Sequence, residues 1–516
     1  MSCLLFFLQI LHCYAIFQIA NSLVSNCFLS YLCQIFFIAN RFDTTRVQGT
    51  VPLRESFAIP FFYYQLSLIV AYFDVKKSDF NTKITLATFL FSISWQFNQF
   101  VLFLQSLAIY ACLLLQILPI YKADKVFYAF SLSLTACYVL QFFNPMIPRS
   151  IIASFIPSYF YLKGFLPTGK LSCLQKIVSI LKHILLMAIS TAFLNYVLKY
   201  TFPSDTDSHI FKFLMAKIQK PEKTFDFDAS LYVCNGSFGF MDRHVFERLF
   251  GILSILFIFG LGCLTSKVIK KLLKNDHENF KDLQPAETFT FFITIAFGLL
   301  ALLIVRLKYL FTPFIAISAV LTLSKLVSNR KLLTLIAFLL ISKTVFDNYQ
   351  KWGEEFSTEQ EFYDPDTVEM LEFIQKSTKQ SSVFSGTMQV MSMVKLSTDR
   401  AVTNHPHYED KKLRDKTFDV YQIYAKIEDI ELRDKLKKYG TTHIIVENSV
   451  CFQKGNDSPD SSVEQSSHCT TKGILDRVNT NLGFIRPRRF CSEIVSSSKY
   501  FKKVFENRTF RIYKMQ

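Results

Sequence analysis

The sequence predicts a mainly α-helical protein that crosses a membrane many times and ends in a smaller α/β domain. Three observations carry this. Of the 516 residues, 51% are hydrophobic and 56 are Phe, more than a soluble core of this size needs and more than a disordered chain carries. Apolar stretches recur from the first residues to about Ile341, several approaching the ~20 residues that a bilayer core about 30 Å thick demands. Beyond that point the chain becomes charged and mixed. The boundary therefore falls at 345, with a multi-spanning domain over 1–345 and a soluble domain over 346–516.

Hydropathy places about a dozen spans in the first domain, near 3–21, 25–40, 56–73, 83–94, 98–120, 126–143, 148–163, 177–198, 248–265, 288–305, 309–327 and 331–345. Several are shorter than a full crossing. Met1 to Asn21 has neither a basic lead nor a small-residue cleavage site, so it reads as a membrane helix rather than a removable signal.

Charge sets the orientation. Alternate loops carry Lys76, Lys77 and Lys83, then Lys122 and Lys125, then Lys163, Lys170 and Lys176, the Lys267 to Lys281 stretch, and Arg330 with Lys331. Short loops rich in Lys and Arg stay on the cytoplasmic side. The opposite loops, 41–55 and 199–247, and the tail are then luminal. The sequons Asn235-Gly236-Ser237 and Asn507-Arg508-Thr509 fall on that same side. An even number of spans with a luminal tail puts residue 1 in the lumen as well, so a further helix is expected upstream of Met1.

In the tail, Asp366 to Lys376 has apolar residues at helical spacing, and Thr442 to Val446 is a short β-branched run. Lys454 to Ser467, rich in Ser, Asp and Gln, reads as a loop. Most of the twelve Cys lie in apolar segments, where Cys acts as a small hydrophobe. Cys451, Cys469 and Cys491 are in the tail, and one disulfide among them is expected in an oxidising compartment.

The net charge of +16 does not point to nucleic acid, because no zinc-finger spacing, aromatic RNA-binding signature or basic helix accompanies it. Lipid headgroups and a phosphorylated lipid are the anionic partners that such a chain suits. Few mid-membrane charges and no inverted repeat argue against a transporter.

Four groups of residues stand out. Arg41, Asp43, Arg46, Arg54 and Glu55 surround a boundary where the positive-inside rule disfavours Arg. They fit either a bound phosphate or arginines snorkelling to the interface with Glu55 as counter-ion. Arg306-Leu307-Lys308 occupies a tight turn on the same side, as a second wall of that site or as a charged hairpin cap. Asp226-Phe227-Asp228 fits a metal-held phosphate or, more simply, a solvated turn. Asn404-His405-Pro406-His407-Tyr408-Glu409-Asp410 offers zinc-type ligands without a second pair at standard spacing, so a hydrogen-bonded loop is the simpler reading and no metal is assigned. Trp95 and Trp352 each fit an interfacial anchor, the default, or a stacking platform.

Several of these strings, in this order, resemble the tryptophan C-mannosyltransferases, the dumpy-nineteen-like proteins. The matching pieces are Thr45-Arg46-Val47, Pro52-Leu53-Arg54-Glu55-Ser56-Phe57, Trp95-Gln96-Phe97, the segment Asp226 to Cys234, and Arg306-Leu307-Lys308. In the tail they continue with Val383 to Met388, Val394 to Ser397, Ala401 to Asp410, Leu413-Arg414 and Tyr421. The resemblance implies a GT-C type glycosyltransferase of the endoplasmic-reticulum membrane, itself continuous with the nuclear membrane, with the tail luminal. It implies transfer of mannose from dolichyl-phosphate-mannose to C2 of the indole in Trp-x-x-Trp motifs of secretory proteins, with no cofactor. Arg46, Arg54, Glu55, Arg306 and Lys308 would bind the donor phosphate, with Glu55 orienting Arg54. Met388, His405, His407 and Glu409 would face the acceptor. The family's catalytic carboxylate has no counterpart here and is expected upstream of Met1, so the catalytic residue is left unassigned. A catalytically inactive scaffold is the alternative. Two departures from the family pattern are Gly49, where a Trp is usual, and an acidic pair reduced to Glu447 followed by Asn448.

Overall fold

The computed structural model describes residues 2–41, 53–74, 80–167, 172–203, 215–218, 225–243, 252–273, 283–357, 364–406, 410–455, 466–484 and 486–516. Two compact units emerge. One combines Met1–Pro203 with Phe240–Glu359, and the other combines Ser204–Gly239 with Gln360–Gln516.

The first unit is helical. Its elements are α1 (Ser2–Val24), α2 (Cys27–Ala39), α3 (Arg54–Asp74), α4 (Phe80–Ser94), α5 (Asn98–Leu114), α6 (Ile120–Leu140), α7 (Ile151–Leu162) and α8 (Cys173–Thr201). After α9 (Phe227–Val233), which belongs to the second unit, it resumes with α10 (Ile252–Leu273), α11 (Pro285–Leu303), α12 (Lys308–Leu326) and α13 (Arg330–Ser357). Among the described residues, seven helices are long and apolar enough to cross a membrane. The sequence reading expected about a dozen spans. The others are short, as α2 and α7 are, or begin with charges, as α6 does with Lys122, Asp124 and Lys125.

Helices dominate because hydrocarbon offers no hydrogen bonds, so each segment must satisfy its own backbone. Where it does not, a side chain steps in. Pro313 inside α12 lacks the N–H that would bond the Tyr309 carbonyl. The Tyr63 hydroxyl donates there instead, 3.1 Å from the oxygens of both Tyr309 and Leu310. At the C-terminus of α3, Lys122 Nζ donates to the carbonyls of Tyr72 (3.1 Å) and Phe73 (2.7 Å), which have no helical partner. Gln65 and Gln105 exchange two amide bonds of 2.9 Å between α3 and α5. Gly260 marks a close helix approach, since a Cβ there would lie against Thr322 Oγ1 across the α10–α12 contact.

Hydrogen bonds tie each end of the bundle. At one end, Lys176 reaches the Lys271 carbonyl, Lys163 pairs with Asp124, and Lys325 pairs with Glu287. At the other, Arg149 bonds the Phe202 carbonyl, Asn195 the Arg149 carbonyl, and Met241 the Leu302 carbonyl. Of the lysines used to set orientation, Lys76, Lys77, Lys170, Lys274 and Lys281 lie outside the described residues. Trp95 is 7% exposed and packs on Phe91 and Phe97. Its indole packs at the α4–α5 junction.

The second unit is a mixed sheet of order β2-β1-β3-β5-β4, from β1 (Val383–Ser385), β2 (Ala401–Val402), β3 (His443–Glu447), β4 (Phe501–Glu506) and β5 (Phe510–Met515). The β1, β2 and β3 strands run parallel, and β5 is antiparallel to both β3 and β4. Its helices include α14 (Pro365–Ser377), α15 (Met388–Thr398), α16 (Lys411–Tyr421), α17 (Asp429–Lys437), α18 (Asn448–Cys451) and α19 (Thr471–Asn481). The helix read at 366–376 and the strand read at 442–446 are both present. Asp364 caps α14 by accepting from Thr367 N, with Pro365 at the first helical position. Of the loop expected at Lys454 to Ser467, residues 456–465 lie outside the described residues.

Two disulfides replace the single one expected. Cys451 pairs with Cys491 and Cys469 pairs with Cys234. Spacing alone cannot give connectivity, and Cys234 is 235 residues from its partner.

Candidate functional site

In the first unit, Arg54 and Glu55 open α3 and Arg306 and Lys308 lie in the short link between α11 and α12. Successive helical residues point in different directions, so Arg54 and Glu55 take different partners. Arg54 Nη1 donates to Gln96 Oε1 at 2.9 Å, across to the α4–α5 junction. Glu55 accepts from Arg306 Nη2 at 2.8 Å. The expectation that Glu55 orients Arg54 is thus corrected, since its ion pair is with Arg306.

Glu55 is 7% exposed and sits in the first turn of a helix, where its negative charge is favoured by the helix dipole. The Arg306 side chain keeps 31% of its surface open, and Arg54 is exposed. Lys308, half-buried, begins α12. The first turn of α3 and the link before α12 therefore bring one ion pair, Arg306 with Glu55, to an end of the bundle that also carries Arg54 and Lys308. Such cations can take up an anion, with Arg offering planar, two-pronged donation to phosphate. Arg46 lies outside the described residues.

In the second unit, Met388 and His405 follow parallel strands β1 and β2, and both are half-buried. The loops that bear them are joined where Asn404 Nδ2 donates to the Gly386 carbonyl at 2.9 Å. His407 and Glu409 lie outside the described residues. Sequence reading noted Glu447 only as the remnant of an acidic pair, yet it belongs to this edge. Its carboxylate accepts from the Thr387 hydroxyl, and its backbone N–H donates to the Tyr424 hydroxyl at 3.1 Å. Burial pushes the Glu447 carboxyl above its usual range, while the Thr387 hydroxyl pulls the other way. The Tyr421 hydroxyl, pushed up to about 12 by burial, accepts from Met388 N at 3.4 Å. In open α/β sheets the carboxyl ends of parallel strands, where successive connections diverge, form the ligand crevice. Here β1 leads to β2 on one side while β3 pairs with β5 on the other.

The Asp226-Phe227-Asp228 motif is neither a metal clamp nor a solvated turn. Asp226 caps α9 by accepting from Ala229 N at 3.0 Å. Asp228 Oδ2 lies 3.1 Å from Nε of Arg414, whose side chain is 1% exposed. Phe227 packs on Phe418 and Tyr421.

The family profile Dpy19, described as Q-cell neuroblast polarisation, matches residues 3–515. The chain belongs to the Dpy19 family. It is 27% identical to the probable C-mannosyltransferase DPY19L4 of Mus musculus, over 99% of this chain and 76% of that protein. It is 30% identical to the C-mannosyltransferase dpy-19 of Caenorhabditis elegans, over 87% of this chain and 65% of that protein. Against the protein C-mannosyl-transferase DPY19L1 of Homo sapiens it is 28% identical, over 96% and 74%.

Among solved structures, this Dpy19 chain is similar to the oligosaccharyltransferase AglB of Archaeoglobus fulgidus, solved with an inhibitory peptide and a dolichol-phosphate. The TM-score is 0.60 at 11% identity, covering 85% of this chain and 57% of that one. The apo form of the A. fulgidus enzyme gives 0.58 at 10% identity. The chain spans a little over half of the archaeal enzyme's length. The fold is thus shared with that membrane oligosaccharyltransferase, and the Dpy19 relatives are named as C-mannosyltransferases, DPY19L4 as a probable one.

Proposed function

We propose that this Dpy19 chain is a protein C-mannosyltransferase that takes mannose from dolichyl-phosphate-mannose and joins it to Trp in Trp-x-x-Trp motifs. The observation that carries this reading is the Arg306–Glu55 pair joining the start of α3 to the link before α12, with Arg54 and Lys308 on those same two segments of an apolar helical bundle. A lipid-borne phosphate would meet these cations at headgroup depth while its tail lies against the helices.

In the reaction, the bond from the sugar's anomeric carbon to the phosphate oxygen breaks and a bond from that carbon to indole C2 forms. The C2 proton leaves to a base, and dolichyl phosphate departs as the anion. Arg54 and Arg306 stabilise the negative charge that builds on the phosphate as the bond opens. Met388 and His405, at the edge that also carries Glu447, would face the acceptor peptide.

The proposed site is the endoplasmic-reticulum membrane, with the second unit and the arginine-bearing end luminal. Support comes from the lysines gathered at the opposite end, from both sequons, and from two disulfides, which persist in oxidising compartments.

The test uses microsomes containing the full chain, supplied with dolichyl-phosphate-mannose and a Trp-x-x-Trp peptide. The expected product carries one hexose on the first Trp, identified by fragmentation. Absence of product with the full chain, while a Dpy19 relative makes it in the same assay, would end the reading.

A further inference from the structure

The two sequons, Asn235-Gly236-Ser237 and Asn507-Arg508-Thr509, adopt the same local turn. In each, the Asn Oδ1 accepts from the backbone N–H two residues ahead, Ser237 N at 3.0 Å and Thr509 N at 3.1 Å. They differ in what the amide nitrogen meets. That nitrogen is where an N-glycan attaches, and it has two hydrogens, one of which the sugar replaces.

At Asn507 both hydrogens are in use. Nδ2 donates to the Asp366 carbonyl at 2.9 Å and to Glu369 Oε2 at 3.0 Å, both on α14. The Thr509 hydroxyl is likewise held by Asp366. Either replacement would therefore aim the sugar into α14 and release the β4–β5 turn from the helix. At Asn235, residues 235–237 are all exposed, and no hydrogen bond to Nδ2 is present among the described residues. The adjoining Cys234–Cys469 disulfide fixes the segment to the unit without covering the amide.

We infer that Asn235 carries an N-linked glycan in the folded protein and that Asn507 remains unmodified, its amide serving as a structural clasp. This rests on the luminal placement proposed above.

The experiment expresses the full chain in cells with an N-glycosylation pathway and analyses the folded, purified fraction by gel mobility and peptide mass spectrometry, with and without endoglycosidase. The expected result is one endoglycosidase-sensitive shift. It is lost in Asn235→Gln, and the Asn507 peptide is unmodified in the parent chain, so the result does not depend on whether Asn507→Gln folds. A glycan on Asn507 in the folded fraction overturns the inference.

A third arm separates the inference from its premise. Lys379→Asn creates a sequon with Ser381 in an exposed turn of the same unit. Glycan at position 379 with Asn235 bare overturns the inference alone. No glycan at 235, 379 or 507 overturns the luminal placement, and the inference with it.

Discussion

Glu55 and Arg306, separated by 251 residues in the chain, form a 2.8 Å ion pair at one end of the helical bundle. The pair joins the first turn of α3 to the link before α12, so it serves structure as well as charge. Removing one partner of a buried pair costs about 3–5 kcal/mol. With 31% of the Arg306 side chain open to solvent, screening lowers this to about 1–2 kcal/mol. Arg306→Ala is expected to lower the melting temperature in detergent, and Arg306→Gln combined with Glu55→Gln to recover most of it. Neither variant should recover transferase activity, because the cation is missing from both. Arg54 offers the contrast, being exposed and bonded to Gln96. Arg54→Ala should leave the melting temperature nearly unchanged and reduce kcat/KM roughly 10- to 100-fold, the worth of a charge-assisted hydrogen bond. Full activity in Arg54→Ala would remove it from the phosphate site.

Asp228 and Arg414 make the second decisive contact. Arg414 is among the largest fully buried side chains, and a guanidinium cannot shed its charge. Asp228→Ala is therefore expected to destabilise the second unit by about 3 kcal/mol or more. Asp226→Ala removes the cap of a seven-residue helix, worth about 1 kcal/mol. Limited proteolysis of the two variants should show the same ranking, and equal resistance would mean that Asp228 is dispensable.

These contacts also show what was legible in the sequence. The apolar runs announced the helices because hydrocarbon leaves the backbone few alternatives. The apolar spacing over Asp366 to Lys376 announced α14 because helical periodicity is written locally in the chain. The partners of Glu55, Asp228, Cys234 and Gln65 were not legible. Each lies on a distant element, and no periodicity encodes which two polar groups meet when the helices pack. The strings carried by the family resemblance held Arg54, Glu55, Asp228, Arg306 and Arg414, but not their pairing. Thr387 and Tyr424 stayed hidden for the same reason, since only the sheet brings them to Glu447.

The Cys234–Cys469 bond holds the segment around α9 against α19, next to the Asp228–Arg414 pair. Peptide mapping without reduction should recover Cys234 with Cys469 and Cys451 with Cys491. Cys469→Ser is expected to cost about 2–5 kcal/mol and to make α9 protease-sensitive while the membrane-spanning unit stays intact. A Cys451–Cys469 peptide would contradict the pairing.

His443 gives the second unit a dependence on pH whose sign follows from its surroundings. It lies on β3, stacks on Phe384 at 4.9 Å and bonds the Thr442 hydroxyl through Nδ1 at 2.8 Å. Burial, helped by the charge of Lys514 on β5, lowers its pKa from 6.5 to about 4. A group whose folded pKa lies below its unfolded value binds more protons when unfolded, so it favours the fold at high pH and less so as pH falls. The contribution of His443 is present in full above pH 6.5, shrinks as pH falls below it, and is gone near pH 4. His443→Gln, which keeps a polar side chain that cannot charge, should flatten the stability profile across that window and leave the slope above it unchanged. Chemical denaturation followed by fluorescence between pH 4 and 8 reads this directly. An identical slope in parent and variant between pH 4 and 6.5 would show that the imidazole takes up its proton without opening the sheet.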